Sequence, residues 1–163
     1  MEKKTEVLII MGSISDWDTM KETAKCLDKF GVSYEKHIAS AHRTPEYACK
    51  LASQAADRGV KVIVAAAGGA AHLAGVLAAH SHLPIIGVPM KGWALDGLDS
   101  LLSTVQMPKG MPVLTLAIGK AGAINAGVSC LQILALGNEE YTKKIIAFRE
   151  AQTQEVLDTK FPE

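Results

Sequence analysis

The feature that most limits the folds open to this chain is an alternation. Short apolar runs of strand length recur along it, and stretches with helical character separate them. "EVLIIM" (Glu6–Met11) is the first run. "VSYEKHIA" (Val32–Ala39), "VKVIVAA" (Val60–Ala66), "LPIIGVPM" (Leu83–Met90) and "PVLTLAIG" (Pro112–Gly119) are the other four. In "SDWDTMKETAKCLDKFG", Trp17, Met20, Ala24, Leu27 and Phe30 recur at helical spacing, and Gly31 ends the helix. Thr44-Pro45 supplies an N-cap and an N1 proline for a second helix that runs to about Arg58. A third helix follows Gly68-Gly69 and reaches about His80, and "LDGLDSLLS" is a short fourth. Long helical stretches cover about Ala121 to Leu136 and Glu139 to Leu157.

Strands that alternate with helices pair in parallel, with the crossover helices covering both faces of the sheet. Five such strands in 163 residues predict an α/β fold. Its form is a three-layer, flavodoxin-like open parallel sheet of order 2-1-3-4-5 with a C-terminal helical extension. No linker, repeat or low-complexity tract interrupts the chain, so residues 1–163 are expected to form a single domain.

Charge and composition exclude several classes. Lys and Arg balance Asp and Glu at 17 each, so nothing argues for nucleic acid or an anionic membrane surface. Three cysteines (Cys26, Cys49, Cys130) lie far apart, which fits reduced thiols in a cytoplasmic protein better than a disulfide framework. "MEKKTEVLIIMGS" has too short an apolar region for a signal peptide and reads as a first strand with its turn. Val62 to Met90 holds no Asp, Glu, Lys or Arg and is long enough to span a bilayer. Gly68-Gly69, Pro84 and three histidines break it where a strand-turn-helix-turn-strand would have its boundaries, so buried structure is expected there.

In the predicted order, strands 1 and 3 are neighbours that the chain leaves in opposite directions. Ligands bind in the crevice this opens at the carboxyl ends of the strands. The turns after strands 1, 2 and 3 are "GSISD", "SAHRT" and "GGAAH", all polar or glycine-rich and all on that rim. Ser13 or Ser15 can cap the first helix, each with an Asp three residues on, and the free N–H groups there suit a phosphate. Asp16 can take a ribose hydroxyl. Without GxGxxG or GxxxxGK[ST], ordinary dinucleotide or ATP binding is disfavoured. Arg43 can fork onto phosphate, Ser40 can donate to it, and His42 brings an imidazole, the side chain suited to moving protons near neutral pH. Gly68 and Gly69 let backbone come close to a partner, and His72 is expected in the first turn of the next helix as a neutral, hydrogen-bonding imidazole. Read singly, the first turn is more simply a helix cap, the second equally well a surface loop capped by Thr44, and the Gly-Gly turn more simply a way to pack a helix on the sheet; convergence on one rim favours a site. A metal centre on His42 and His72, or on His80 and His82, lacks a companion Cys or carboxylate at ligand spacing.

Two helices have no charge on any face: "AAHLAGVLAA" (Ala70–Ala79) and "AGAINAGVSCLQILAL" (Ala121–Leu136). A helix apolar all round is buried all round. The sheet covers one side only, so a homo-oligomer is expected, with Ala and Gly permitting close helix approach.

The set "MGSISDW", "SAHRTP" and "AGGAAHLAG", followed by "GVP", "GLDSLLSTVQMP" and "LAIGKAGAINA", resembles the N5-carboxyaminoimidazole ribonucleotide (N5-CAIR) mutase family. That family is the catalytic subunit of bacterial phosphoribosylaminoimidazole carboxylase, and the resemblance runs from about Val7 past Gln152. It implies an isomerase of purine biosynthesis that moves a carboxylate from the exocyclic nitrogen to ring carbon 4 of a nucleotide-like substrate, 5-aminoimidazole ribonucleotide. It also implies no metal or organic cofactor, a homo-octamer with sites at subunit contacts, and an ATP-dependent N5-CAIR synthase upstream. By residue, the resemblance implies Ser13 and Asp16 on the substrate, with Asp16 on the ribose, and Ser40 and Arg43 around the phosphate. His42 is implied as the general acid and base, and the loop of Gly68, Gly69, Ala70, Ala71, His72 and Leu73 as closing on the imidazole and the migrating carbon dioxide. The chain departs from the family's usual "AGAGGAAHLPG" with "AAAGGAAHLAG", placing Ala74 where a proline is usual.

Two other readings share these residues. A direct carboxylase of the same superfamily uses free carbon dioxide, although "AHRTP" and "GGAAHL" look like the mutase branch. A non-catalytic flavodoxin-like module is the other. A receiver needs acids where this chain has Gly12-Ser13 and Gly68-Gly69, and two Trp, three Tyr and three Phe offer a flavin little stacking surface.

Overall fold

All five apolar runs form strands, and their order follows from the parallel crossovers that connect them. The computed structural model describes residues 4–92 and 94–161; residues 1–3 of the amino-terminal stretch weighed against a signal peptide lie outside the described residues. The elements are β1 (Val7–Met11), α1 (Trp17–Phe30), β2 (Tyr34–Ile38), α2 (Pro45–Ser53), β3 (Val62–Ala67), α3 (Leu73–His80) and β4 (Ile85–Pro89). After them come α4 (Leu98–Val105), β5 (Leu114–Thr115), α5 (Lys120–Ala135) and α6 (Glu139–Asp158). The sheet runs β2-β1-β3-β4-β5 with every pair parallel, the expected flavodoxin-like order.

Alternation along the strands divides the core in two. Val7, Ile9, Met11, Val62 and Val64 face α1 and α5, where Met20, Leu27, Ala126 and Leu131 meet them. Leu8, Ile10, Ile63 and Ala65 face α2 and α3, meeting Leu51, Ala52, Leu73 and Leu77. Burying each large aliphatic side chain contributes about 1.5–3 kcal/mol. Among the described residues no helix is long and apolar enough to cross a membrane, and the uncharged stretch Val62–Met90 folds as β3, α3 and β4.

Several boundaries move from their expected places. A 3-10 turn, Ile14–Asp16, precedes α1. The second helix stops at Ser53 and gives way to a 3-10 turn, Ala56–Arg58, closed by Gly59 at φ 97°. The fifth strand pairs only at Leu114 and Thr115, although the Leu116 and Gly119 N–H groups beyond it still donate to Gly87 O and Pro89 O of β4. Helix α4 begins three residues later than expected, after Gly97 at φ 98°.

The register places the site. Met11 pairs with Ile38 on one side and with Ala66 on the other, so β1, β2 and β3 end flush. The three turns that leave them therefore share one rim.

Candidate active site

The first turn is held by a reciprocal cap. Ser13 Oγ accepts the Ser15 N–H at 3.3 Å, and Asp16 Oδ2 accepts the Ser13 N–H at 3.2 Å. Burial pushes the Asp16 carboxyl up from its ordinary value, and the Ser13 N–H partly offsets this.

The second turn is organised by Ser40. Its Oγ accepts the N–H groups of His42 at 3.3 Å and Arg43 at 3.2 Å. A hydroxyl has two acceptor sites and one hydrogen, so these bonds leave Ser40 a proton to donate to a ligand. Thr44 takes the N-cap position of α2 but makes no capping bond. Its Oγ1 instead accepts the Ser40 N–H at 2.9 Å, which closes the turn on itself. Arg43 then reaches across to the first turn, where its Nη2 donates to the Gly12 carbonyl at 3.0 Å.

The third turn carries His72, which is the N-cap of α3 rather than part of its first turn. His42 Nε2 and His72 Nδ1 lie 2.9 Å apart, with ring planes at 79°. One nitrogen donates and the other accepts, so each imidazole fixes the other's orientation and tautomer.

A cavity of about 520 Å³ joins the three turns. Ser13, Asp16, Ser40, His42, Arg43, Gly68, Ala70, His72 and Leu73 all line it. Gly69 does not: it is buried at φ 62°, and its carbonyl faces α4, with Ser103 Oγ at 3.2 Å. The cavity also takes in Gly12, Ser15, Ala41 and Ala67, which sequence reasoning did not assign to it. Ala41 and Ala67 lack any chemical signal and enter only because they flank the flush strand ends. Ser103 was legible in principle, because Ser100, Ser103 and Thr104 put hydroxyls on one face of a leucine-rich helix.

The arrangement lines one cavity with the Arg43 guanidinium, the Ser13 and Ser40 hydroxyls and the Asp16 carboxylate. The same cavity holds two imidazoles and a small glycine-alanine wall. It can bind an anion, hold hydroxyl groups and move a proton. Among the described residues no group of three His, Cys, Asp or Glu is placed to hold a metal ion.

A family model described as AIR carboxylase matches residues 6–155. The curated N5-carboxyaminoimidazole ribonucleotide mutase of Vibrio cholerae is 58% identical over 94% of this chain and 96% of its own length. That of Bacillus subtilis is 54% identical over 93% of each chain. Among solved structures, Treponema denticola PurE superposes with a TM-score of 0.85 at 26% identity, covering 94% of this chain and 95% of that one. The chain belongs to the AIR carboxylase family.

Proposed function

We propose that the protein is an N5-carboxyaminoimidazole ribonucleotide mutase acting in purine biosynthesis. The observation that carries the activity is its close similarity, along nearly the whole chain, to curated mutases. The cavity geometry supports residue roles within it. Arg43, Ser40 and Ser13 hold the phosphate end, Asp16 takes ribose hydroxyls, and the Gly68–Leu73 turn closes on the imidazole.

In this mechanism protonated His42 delivers its proton to the exocyclic nitrogen as the bond from that nitrogen to the carboxylate carbon breaks. The bonding pair stays on nitrogen, and neutral carbon dioxide is released into the recess. Ring carbon 4 then attacks it, drawing on the amine's electrons. His42, now neutral, removes the proton left on carbon 4 and restores the ring. The proton is returned, so the cycle closes without a cofactor. Holding carbon dioxide beside its acceptor replaces an encounter with a dilute gas, and this proximity dominates the rate gain.

Assembly belongs to the same reading. We infer a homo-octamer of single-domain chains, working in the cytoplasm downstream of an ATP-dependent synthase that makes the N-carboxylate. Exposed Leu98, Leu102 and Val105 on α4, and exposed Val156, Leu157 and Phe161 at the end of the chain, support an assembly in which other copies cover them.

The test is conversion of N-carboxylated ribonucleotide, labelled in its carboxylate, to C4-carboxylated product without ATP or added metal. Label should be retained in unlabelled bicarbonate; its loss to the medium would make the protein a direct carboxylase. His42→Asn should lower turnover by about a hundred- to ten-thousandfold while substrate still binds. Normal turnover by that variant would remove His42 from the mechanism.

A further inference from the structure

The glycine-alanine wall of the recess is tied to the rest of the molecule by a hydroxyl outside it. Ser103, on α4, accepts the Ala71 N–H at 2.9 Å. Its Oγ lies 3.2 Å from the Gly69 carbonyl, 2.7 Å from Asp99 O and 3.3 Å from Ser100 O. A hydroxyl has one hydrogen, so only one of these carbonyls takes it at a time. Its role toward Ala71 is fixed, because an N–H can only donate. Ala71 is 2% exposed, and a buried N–H that loses its partner is costly.

Helix α4 is seated so that Ser103 can reach. Gly87 on β4 has no side chain, and a Cβ there would lie 2.5 Å from Thr104 Cγ2, so α4 packs directly on the strand. Ser100 Oγ donates to Met90 O or Gly97 O, at 2.6 and 2.8 Å, which fixes the helix start. The wall itself has little stiffness. Gly68 and Gly69 are the permissive residues, Gly69 sits at φ 62°, and within the turn the His72 N–H donates back to Ala70 O at 2.9 Å.

We propose that Ser103 is a positioning residue for carbon dioxide retention: by holding Ala71 it fixes the Gly68–His72 turn that encloses the released gas. This rests on the mutase reading above. Between breaking of the nitrogen–carbon bond and formation of the bond to carbon 4, carbon dioxide is neutral and makes no charged contact. Only the walls keep it beside its acceptor. The same tether sets the backbone one residue before His72, and so the 2.9 Å contact between His72 and His42.

The experiment compares the full-length protein with Ser103→Ala, Ser103→Thr and Ser103→Cys on the labelled N-carboxylated ribonucleotide, with an enzyme-free control for spontaneous decarboxylation. It reads the ratio of uncarboxylated amine to C4-carboxylated product and the label retained. This ratio is per turnover and does not depend on how much of a variant is folded. Ser103→Ala should raise the ratio about tenfold while KM stays within about twofold of wild type. Ser103→Thr keeps the acceptor oxygen and should restore the wild-type ratio, whereas Ser103→Cys, a weak acceptor, should leak in between. A wild-type ratio in both Ser103→Ala and Ser103→Cys, whatever their kcat, overturns the proposal. Failure of the wild-type protein to form product would instead sink the mutase reading.

Discussion

Asp16 has two duties that pull in opposite directions. As a cap it accepts the Ser13 N–H, which any acceptor can do. As a proposed ribose ligand it must present a charge, and burial disfavours that charge. Because its folded-state pKa is raised, the folded protein holds this proton more tightly than the unfolded chain does. The stability contribution is present at low pH and is lost as pH rises through the folded value. Asp16→Asn retains an acceptor for Ser13 and removes the charge. As pH rises from below the ordinary aspartate range, the urea midpoint of wild type should therefore fall relative to that of the variant. Losing a charge-assisted bond of about 1.5 kcal/mol should raise KM roughly tenfold. An unchanged KM would take Asp16 off the ribose. Its presence on the rim was legible in the sequence, but its half-buried setting was not, because burial depends on the neighbouring strand ends. The same holds for the two imidazoles. His42 and His72 are 30 residues apart, and only the flush register of β1, β2 and β3 brings them within hydrogen-bond distance.

Helix α5 shows what a helical pattern leaves undecided. From Ala121 onward its lack of charge implied burial on every side, with glycine and alanine set against another subunit. In the structure α5 packs most extensively on α1 and then on α6, so much of that burial comes from within the chain. Gly127 is the point of closest approach: a Cβ there would lie 2.6 Å from Cys26 Cβ and 3.2 Å from Thr23 O. Beside it Thr23 Oγ1 donates to Ala123 O at 2.6 Å, joining the two helices by a buried hydrogen bond. Gly127→Ala must push α1 and α5 apart, an overpacking cost of about 1–3 kcal/mol that exceeds alanine's better helix propensity. Thermal unfolding should show that loss. Gly137→Ala, with no atom within 4 Å of the added carbon, should stay within about 0.5 kcal/mol of wild type. Equal midpoints for the two variants would mean that α1 and α5 separate easily.

At the scale of the whole molecule the strand order was readable because it needs only alternation and the handedness of parallel crossovers. What periodicity cannot give is the partner that an apolar stripe faces. Helix α4 is the instructive case: its hydroxyls on Ser100, Ser103 and Thr104 turn inward, Ser100 donating to Met90 O, Ser103 accepting the Ala71 N–H and buried Thr104 bonding back to Ser100 O of its own helix. Its apolar residues Leu98, Leu102 and Val105 turn outward, each close to half exposed. Leu114 on the edge strand β5 is exposed as well, and no sixth strand covers that edge among the described residues. An apolar face next to an open sheet edge is the surface that another copy would bury in the proposed assembly. Leu98→Glu combined with Leu102→Glu puts two charges there without touching the inward hydroxyls. Sedimentation should shift to smaller species while far-UV circular dichroism keeps the wild-type helix content. Turnover should fall with the assembly, because the proposed sites are completed at subunit contacts. Wild-type sedimentation by the double variant would show that this face stays open to solvent, and the search for the contact would move to the exposed end of α6.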